Sequence, residues 1–211
     1  MKAVTVIEGR MVPLDRADVD TDQIMPKQFL KRIERTGFGE FLFHHWREDP
    51  GFILNDERYG GAKVLVTGPN FGSGSSREHA PWGLQQYGFD AIVAPSFADI
   101  FKGNCAKIGL LTIELPAAIC KQLVALATAD PSAVLRIDLS AQTVDAWASA
   151  GGLECQPDVP DVSQRFAIDP FTKHLLLEGL DDIGLTLQRN ADIATFEAHR
   201  PARLPVTTAP G

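Results

Sequence analysis

With 211 residues, 45% of them hydrophobic and 22% charged, the chain has the composition of an ordinary globular protein and room for one substantial domain. Its formal net charge is −7 with the basic residues scattered, which argues against a nucleic-acid partner because phosphate neutralisation needs a positive stripe. No apolar run approaches the roughly 20 residues that cross a bilayer, and the stretch Met1 to Glu8 reaches an acid too early for a signal peptide, so a cytoplasmic protein without a membrane partner is expected.

Residues 3–7 alternate as a short strand, followed by an acid-rich loop from Leu14 to Asp22. Residues 27–36 mix Lys, Gln, Arg and Glu with Phe29, Leu30 and Ile33, a pattern open to either an amphipathic helix or a mobile loop. Phe38 to Trp46 is rich in aromatic residues, and Asp49-Pro50-Gly51 reads as a turn. The centre is clearer. Residues 62–67 form an apolar strand, and a helix is predicted from about Ser76 to Tyr87 with Gly88 as its C-cap. Strands at 91–94 and 110–113 flank a short helix around 97–102. This alternation implies a partly parallel, layered α/β core. A helix follows at 117–129, then a hairpin or pair of edge strands at 134–137 and 143–146. From about residue 164 the pattern turns helical, and the tail after Pro201 is expected to be disordered.

The most informative stretch is Asn70-Phe71-Gly72-Ser73-Gly74-Ser75-Ser76-Arg77-Glu78-His79-Ala80, placed between a strand and a helix. Unpaired N–H groups and the dipole at a helix start favour an anion. Gly72 and Gly74 let the backbone approach a ligand closely, and Arg77 supplies a planar fork for a carboxylate. A plainer role competes, because Ser75-Ser76-Arg77-Glu78 contains the S-x-x-E of a capping box. The glycine pattern matches neither phosphate-loop nor dinucleotide-binding spacing. Residue spacing alone therefore gives an anion-binding helix start.

Read as whole blocks, the segments carry more. Asn70 to Trp82 resembles the signature of the small swivelling domain of the aconitase superfamily. Asp20-Thr21-Asp22-Gln23-Ile24-Met25-Pro26-Lys27-Gln28-Phe29-Leu30, the block Ala94 to Phe101 with Asn104-Cys105, and Gly179 to Leu187 are similar, in order, to segments of the bacterial isopropylmalate dehydratase small-subunit family. The resemblance covers nearly the whole chain. It implies a swivelling β/β/α domain over residues 1–200, with a helical C-terminal extension and a tail at 201–211. It also implies a hydro-lyase acting in leucine biosynthesis, which interconverts 2- and 3-isopropylmalate through isopropylmaleate. In that family a [4Fe–4S] cluster sits on three cysteines of a large-subunit partner, and none is bound by the small subunit. Ser75 matches the base that removes a proton next to a carboxylate, with Arg77 as its catalytic neighbour. Gly74, Ser76, Asp20 and Thr21 match positions near the substrate, and Phe29, Leu30 and Arg32 fall in the segment that meets its variable group.

Other residues carry weaker signals. Cys105, Cys120 and Cys155, separated by 15 and 35 residues, fit no zinc or ferredoxin spacing. Asp18, Asp20 and Asp22 alternate like a calcium loop but lack its glycine and closing glutamate, so turn and N-cap roles are expected. His79 either polarises the site or is a hydrogen-bonded structural histidine. His44 and His45 have no third ligand at sensible spacing and read as surface residues. Lys31, Arg32 and Arg35 also fit a solvated face. Two alternatives remain: a related small subunit of citraconate/methylmalate or homoaconitate type, or a non-catalytic anion-binding module.

Overall fold

Strand β1 (Val6–Leu14) is shared between two kinds of neighbour. Its first half, Val6 to Arg10, pairs antiparallel with residues Asp138 to Val134, and its second half, Met11 to Leu14, pairs parallel with Val64 to Thr67. Lys63 N–H donates to Arg10 C=O at 3.0 Å. Alternation then turns residues 10, 12 and 14 towards the parallel neighbour, and Pro13 towards the side on which antiparallel pairing has ended. A proline inside a nine-residue strand is tolerated for that reason. The expected strand at 3–7 is therefore displaced and longer, because Gly9, Arg10 and Pro13 disguise its pattern.

The computed structural model describes residues 1–32, 34–148 and 159–201. Strands β2 (Val64–Thr67), β3 (Ala91–Ala94) and β4 (Leu111–Glu114) run parallel to β1, while β5 (Val134–Asp138), β6 (Thr143–Trp147) and β7 (Val162–Arg165) continue antiparallel. The sheet order is β4-β3-β2-β1-β5-β6-β7. Helices α1 (Thr21–Ile24), α2 (His79–Tyr87), α3 (Asp99–Ile108) and α4 (Ala117–Ala129) connect the parallel half. Helices α5 (Pro170–Glu178), α6 (Asp182–Leu187) and α7 (Asn190–Ala198) follow the last strand.

Residues 64–66 alternate between two cores, as strands covered on both faces must. Leu65 joins Val12, Ile92, α2, α3 and the aromatic segment of Phe38, Phe43 and Phe52. Val64 and Val66 join Val93, Ile113, α4 and the inward residues of β5 and β6. This mixed α/β arrangement matches the expected fold class.

Three local expectations change. Residues 27–31 form a short 3-10 helix, not a longer amphipathic helix; Ile33, in the same predicted segment, lies outside the described residues. Helix α2 starts three residues late, at His79. Helical structure at the C-terminus begins at Pro170, because Val162–Arg165 pairs with β6 as an edge strand; its polar Val-Ser-Gln-Arg sequence carries no apolar alternation, and only the neighbouring strand makes it extended. The predicted disorder after Pro201 and the third cysteine, Cys155, fall outside the described residues. Among the described residues no helix is long and apolar enough to cross a membrane.

Candidate active site

Strands β1 and β2 end side by side, and the segments that follow them, 15–22 and 68–77, are laced together beyond their C-terminal ends, where ligands of parallel sheets gather. Asp18 N–H donates to Pro69 C=O at 2.9 Å and Gly72 N–H to Val19 C=O at 2.7 Å. Thr21 N–H donates to Ser73 C=O at 2.9 Å. Asn70 Nδ2 donates to Asp18 Oδ1 at 2.8 Å. On the other flank Phe71 N–H donates to Ser96 C=O and Ala98 N–H to Phe71 C=O, both at 3.1 Å. The three sequence blocks beginning at Asp20, Asn70 and Ala94 are thus one hydrogen-bonded unit.

Gly72 adopts φ +77°, and a Cβ there would collide with the ring of Phe101, which is 2% exposed. Gly74 is required by its φ of +90° rather than by space, since a Cβ would only come into ordinary contact with Asp20 and Thr21, at 3.4 and 3.5 Å. Asp20 caps α1 in a reciprocal box: Gln23 N–H donates to Asp20 Oδ1 at 2.8 Å, and Asp20 N–H donates to Gln23 Oε1 at 2.9 Å. Thr21, buried behind this cap, donates from Oγ1 to Ser75 C=O at 3.0 Å, with the two hydroxyl oxygens 3.5 Å apart. Arg77 Nη1 donates to Asp22 Oδ1 in an ion pair. Ser75 and Ser76 are exposed.

Neither serine caps α2. Glu78 stands at the N-cap position and makes no side-chain cap bond, while Arg77 N–H turns back to Ser75 C=O at 2.8 Å. That turn holds 75–77 out of the helix, and Pro81 sits in the first helical turn, where a missing N–H costs little. The capping-box alternative is therefore not realised, and both hydroxyls stay available.

Phe29 and Leu30 lie on the 3-10 helix 27–31, with Arg32 just after it. Phe29 stacks on Phe41 at 4.2 Å between centroids and meets the edge of His44 at 4.9 Å; Arg32 lies over Phe41 and pairs with Glu34. No hydrogen bond or ion pair among the described residues joins these three to Ser75 or Arg77. His79 packs against Phe38 and Trp82 at 5.2 and 4.8 Å, and burial pushes its pKa down, with Arg77 adding to the effect and Glu78 opposing it. It is a packed structural histidine held towards its neutral form.

Asp18, Asp20 and Asp22 go to Asn70, an N-cap and Arg77 respectively, so they do not converge on a calcium ion. Asp22 is the site residue that the sequence failed to single out, because only the fold brings it to Arg77. His44 and His45 do have a third neighbour, Glu48. Cys105 lies in the α2–α3 core and Cys120 in the α4 core, on opposite faces of the sheet. Burial pushes the Cys105 thiol well up and the Cys120 thiol to about 11. These thiols do not converge and do not ionise readily, so they do not fit an iron–sulfur cluster.

An aconitase C-terminal domain model matches residues 1–118, and a model of the C-terminal domain of the 3-isopropylmalate dehydratase small subunit matches residues 182–207. A 3-isopropylmalate dehydratase small subunit of Rubrobacter xylanophilus is 51% identical over 97% of this chain and 98% of its own. One from Parafrankia sp. is 51% identical over 98% of this chain and 100% of its own. A crystal structure of 3-isopropylmalate dehydratase from Methanocaldococcus jannaschii superposes with a TM-score of 0.61 at 23% identity, over 90% of this chain and 98% of that one, which supports the fold. Matched end to end at half identity, the chain belongs to the family of 3-isopropylmalate dehydratase small subunits.

Proposed function

We propose that this chain is the cytoplasmic small subunit of a hydro-lyase that interconverts 2- and 3-isopropylmalate through isopropylmaleate in leucine biosynthesis, active only with a large subunit. The observation that carries this reading is the cluster of Thr21, Ser75, Arg77 and Asp22, with both serine hydroxyls exposed at the surface. A site that open needs a second wall. Among the described residues the two thiols, Cys105 and Cys120, do not fit a cluster, and a [4Fe–4S] cluster is assigned to the large subunit, where it would polarise the substrate hydroxyl that leaves.

The small subunit then holds and moves a proton. Ser75 Oγ, as alkoxide, takes the hydrogen from the carbon next to a carboxylate, and returns it in the reverse direction. A serine hydroxyl is a poor base, so its anion needs donors and positive charge around it. The guanidinium of Arg77, two residues along, supplies positive charge for that task, while Thr21, whose hydroxyl proton goes to the Ser75 carbonyl, positions the residue. The helix dipole is a weaker aid than the sequence implied, because α2 begins four residues beyond Ser75. Arg77 offers a two-pronged contact to a substrate carboxylate in place of Asp22. Asp20 and Gly74 shape the loop that presents Ser75 and Ser76, while Phe29, Leu30 and Arg32 form the neighbouring turn that meets the variable group.

The test is anaerobic hydration of isopropylmaleate by this chain mixed with a cluster-loaded large subunit, beside Ser75→Ala and each subunit alone. Activity confined to the wild-type mixture, with Ser75→Ala lower by roughly 10²–10⁴, supports the reading. Activity on citraconate or homoaconitate instead would keep the chemistry and replace the substrate; binding of malate-like ligands without turnover in any mixture would leave an anion-binding module.

A further inference from the structure

Between the 3-10 turns Phe38–Phe41 and Trp46–Glu48 the chain reverses sharply, with Phe43 at φ +50°. The reversal brings His44 and His45 together at 5.4 Å between ring centroids, and Glu48, one 3-10 turn after His45, comes up beside them. One ligand atom from each of the three lies within 4.8 Å of the others, and His45 Nδ1 stands 3.5 Å from Glu48 Oε1.

We propose that His44, His45 and Glu48 form a binding site for one divalent ion of the zinc class, with water completing its coordination. Two imidazoles and one carboxylate make a donor set suited to Zn²⁺ and poorly suited to Ca²⁺ or Mg²⁺, which require oxygen ligands. Bonds of about 2.0–2.2 Å in a tetrahedron place neighbouring ligand atoms roughly 3.3–3.5 Å apart. The His45–Glu48 pair already meets that spacing. Their side chains are 60% and 69% exposed, so the remaining closure needs only rotation of free surface groups. The cation between them in sequence is turned aside: Arg47 Nε donates to Asn55 Oδ1 at 3.4 Å, and its guanidinium lies 5.6 Å over the Tyr87 ring. His44 is braced, with its ring edge-on to Phe29 at 4.9 Å. An ion held there fixes His44 against the turn that carries Phe29 and Leu30, tying metal occupancy to the packing of that turn.

Calorimetric titration of the full chain with zinc chloride tests this, in a Cys155→Ser background so that this thiol does not compete. One ion per chain is expected, with affinity weakened roughly tenfold or more in both His45→Ala and His44→Phe, since even outer-shell changes cost that much. His44→Phe keeps the aromatic contact with Phe29, and Glu48→Gln changes an exposed side chain, so unchanged melting in EDTA separates lost ligation from lost folding. Absence of binding by the parent chain overturns the proposal. So does binding that either histidine variant leaves unchanged.

Discussion

Arg77 and Asp22 form an ion pair across the candidate site, with the Arg77 side chain 16% exposed and that of Asp22 55% exposed. The partner of the proposed substrate clamp is thus a carboxylate of the chain itself. The exposed Asp22 carboxylate leaves the pair open to solvent on one side, which is where a substrate carboxylate would displace or share it. The guanidinium needs its planar fork for that exchange. Arg77→Lys is expected to raise KM and lower kcat in the reconstituted complex, for a combined loss of about 10- to 100-fold, the worth of one charge-assisted contact. Folding should be unaffected, as read by the melting curve. Unchanged kinetics would remove Arg77 from the site.

Thr21 is hydrogen-bonded to the backbone of Ser75. Its buried hydroxyl anchors the Ser75 carbonyl at 3.0 Å and lies 3.5 Å from Ser75 Oγ. Thr21→Val keeps the shape and removes the anchor; kcat is expected to fall roughly 10- to 100-fold with KM little changed, as for a misplaced base. Thr21→Ser restores the hydroxyl and should recover most of the rate. Full activity in Thr21→Val together with a loss in Thr21→Ser would mean that the methyl group, not the hydrogen bond, matters.

What the sequence revealed follows from which forces are local. The apolar runs ending at Thr67, Ala94 and Ile113 are legible because strands buried on both faces must be apolar throughout. The loop between β2 and α2 is legible because Gly72 and Gly74 mark backbone positions that take positive φ. Strand β1 was obscured by Pro13, which is tolerated only because pairing with β5 ends at Arg10. Strand β7 was obscured because its partner, not its composition, makes it extended. Asp22 and Glu48 were missed for one reason: each acquires its meaning from a residue that the fold or a tight turn brings near.

Gly72 is where the loop is least forgiving. Its φ of +77° disfavours any L side chain, and an added methyl group meets the buried Phe101 ring. The left-handed backbone costs about 1–2 kcal/mol, and overpacking adds about 1–3 kcal/mol. Gly72→Ala is therefore expected to lose roughly 2–5 kcal/mol of stability by urea unfolding. Gly103 offers the contrast, since a Cβ there meets nothing within 4 Å and the residue lies inside α3; Gly103→Ala should be neutral or stabilising by up to about 1 kcal/mol.

His79 gives the fold a pH dependence of its own. Burial, opposed by the Glu78 charge and only slightly assisted by Arg77, holds its folded pKa below the ordinary value near 6.5. Between the lowered folded pKa and about 6.5 the unfolded chain binds more protons than the folded one, so stability rises with pH across that window. The contribution is fully present above about pH 6.5 and is lost as the pH falls through the folded pKa. The depressed carboxylates Asp169 and Asp181, held down by backbone N–H bonds at helix starts, act only at lower pH, near or below the ordinary aspartate value of about 3.9. Urea midpoints taken between about pH 7.5 and about pH 5.5 therefore isolate the histidine range. The midpoint is expected to fall across that interval in the parent chain and to fall less in His79→Gln, whose side chain does not titrate. An equal slope in both proteins would assign the pH dependence elsewhere.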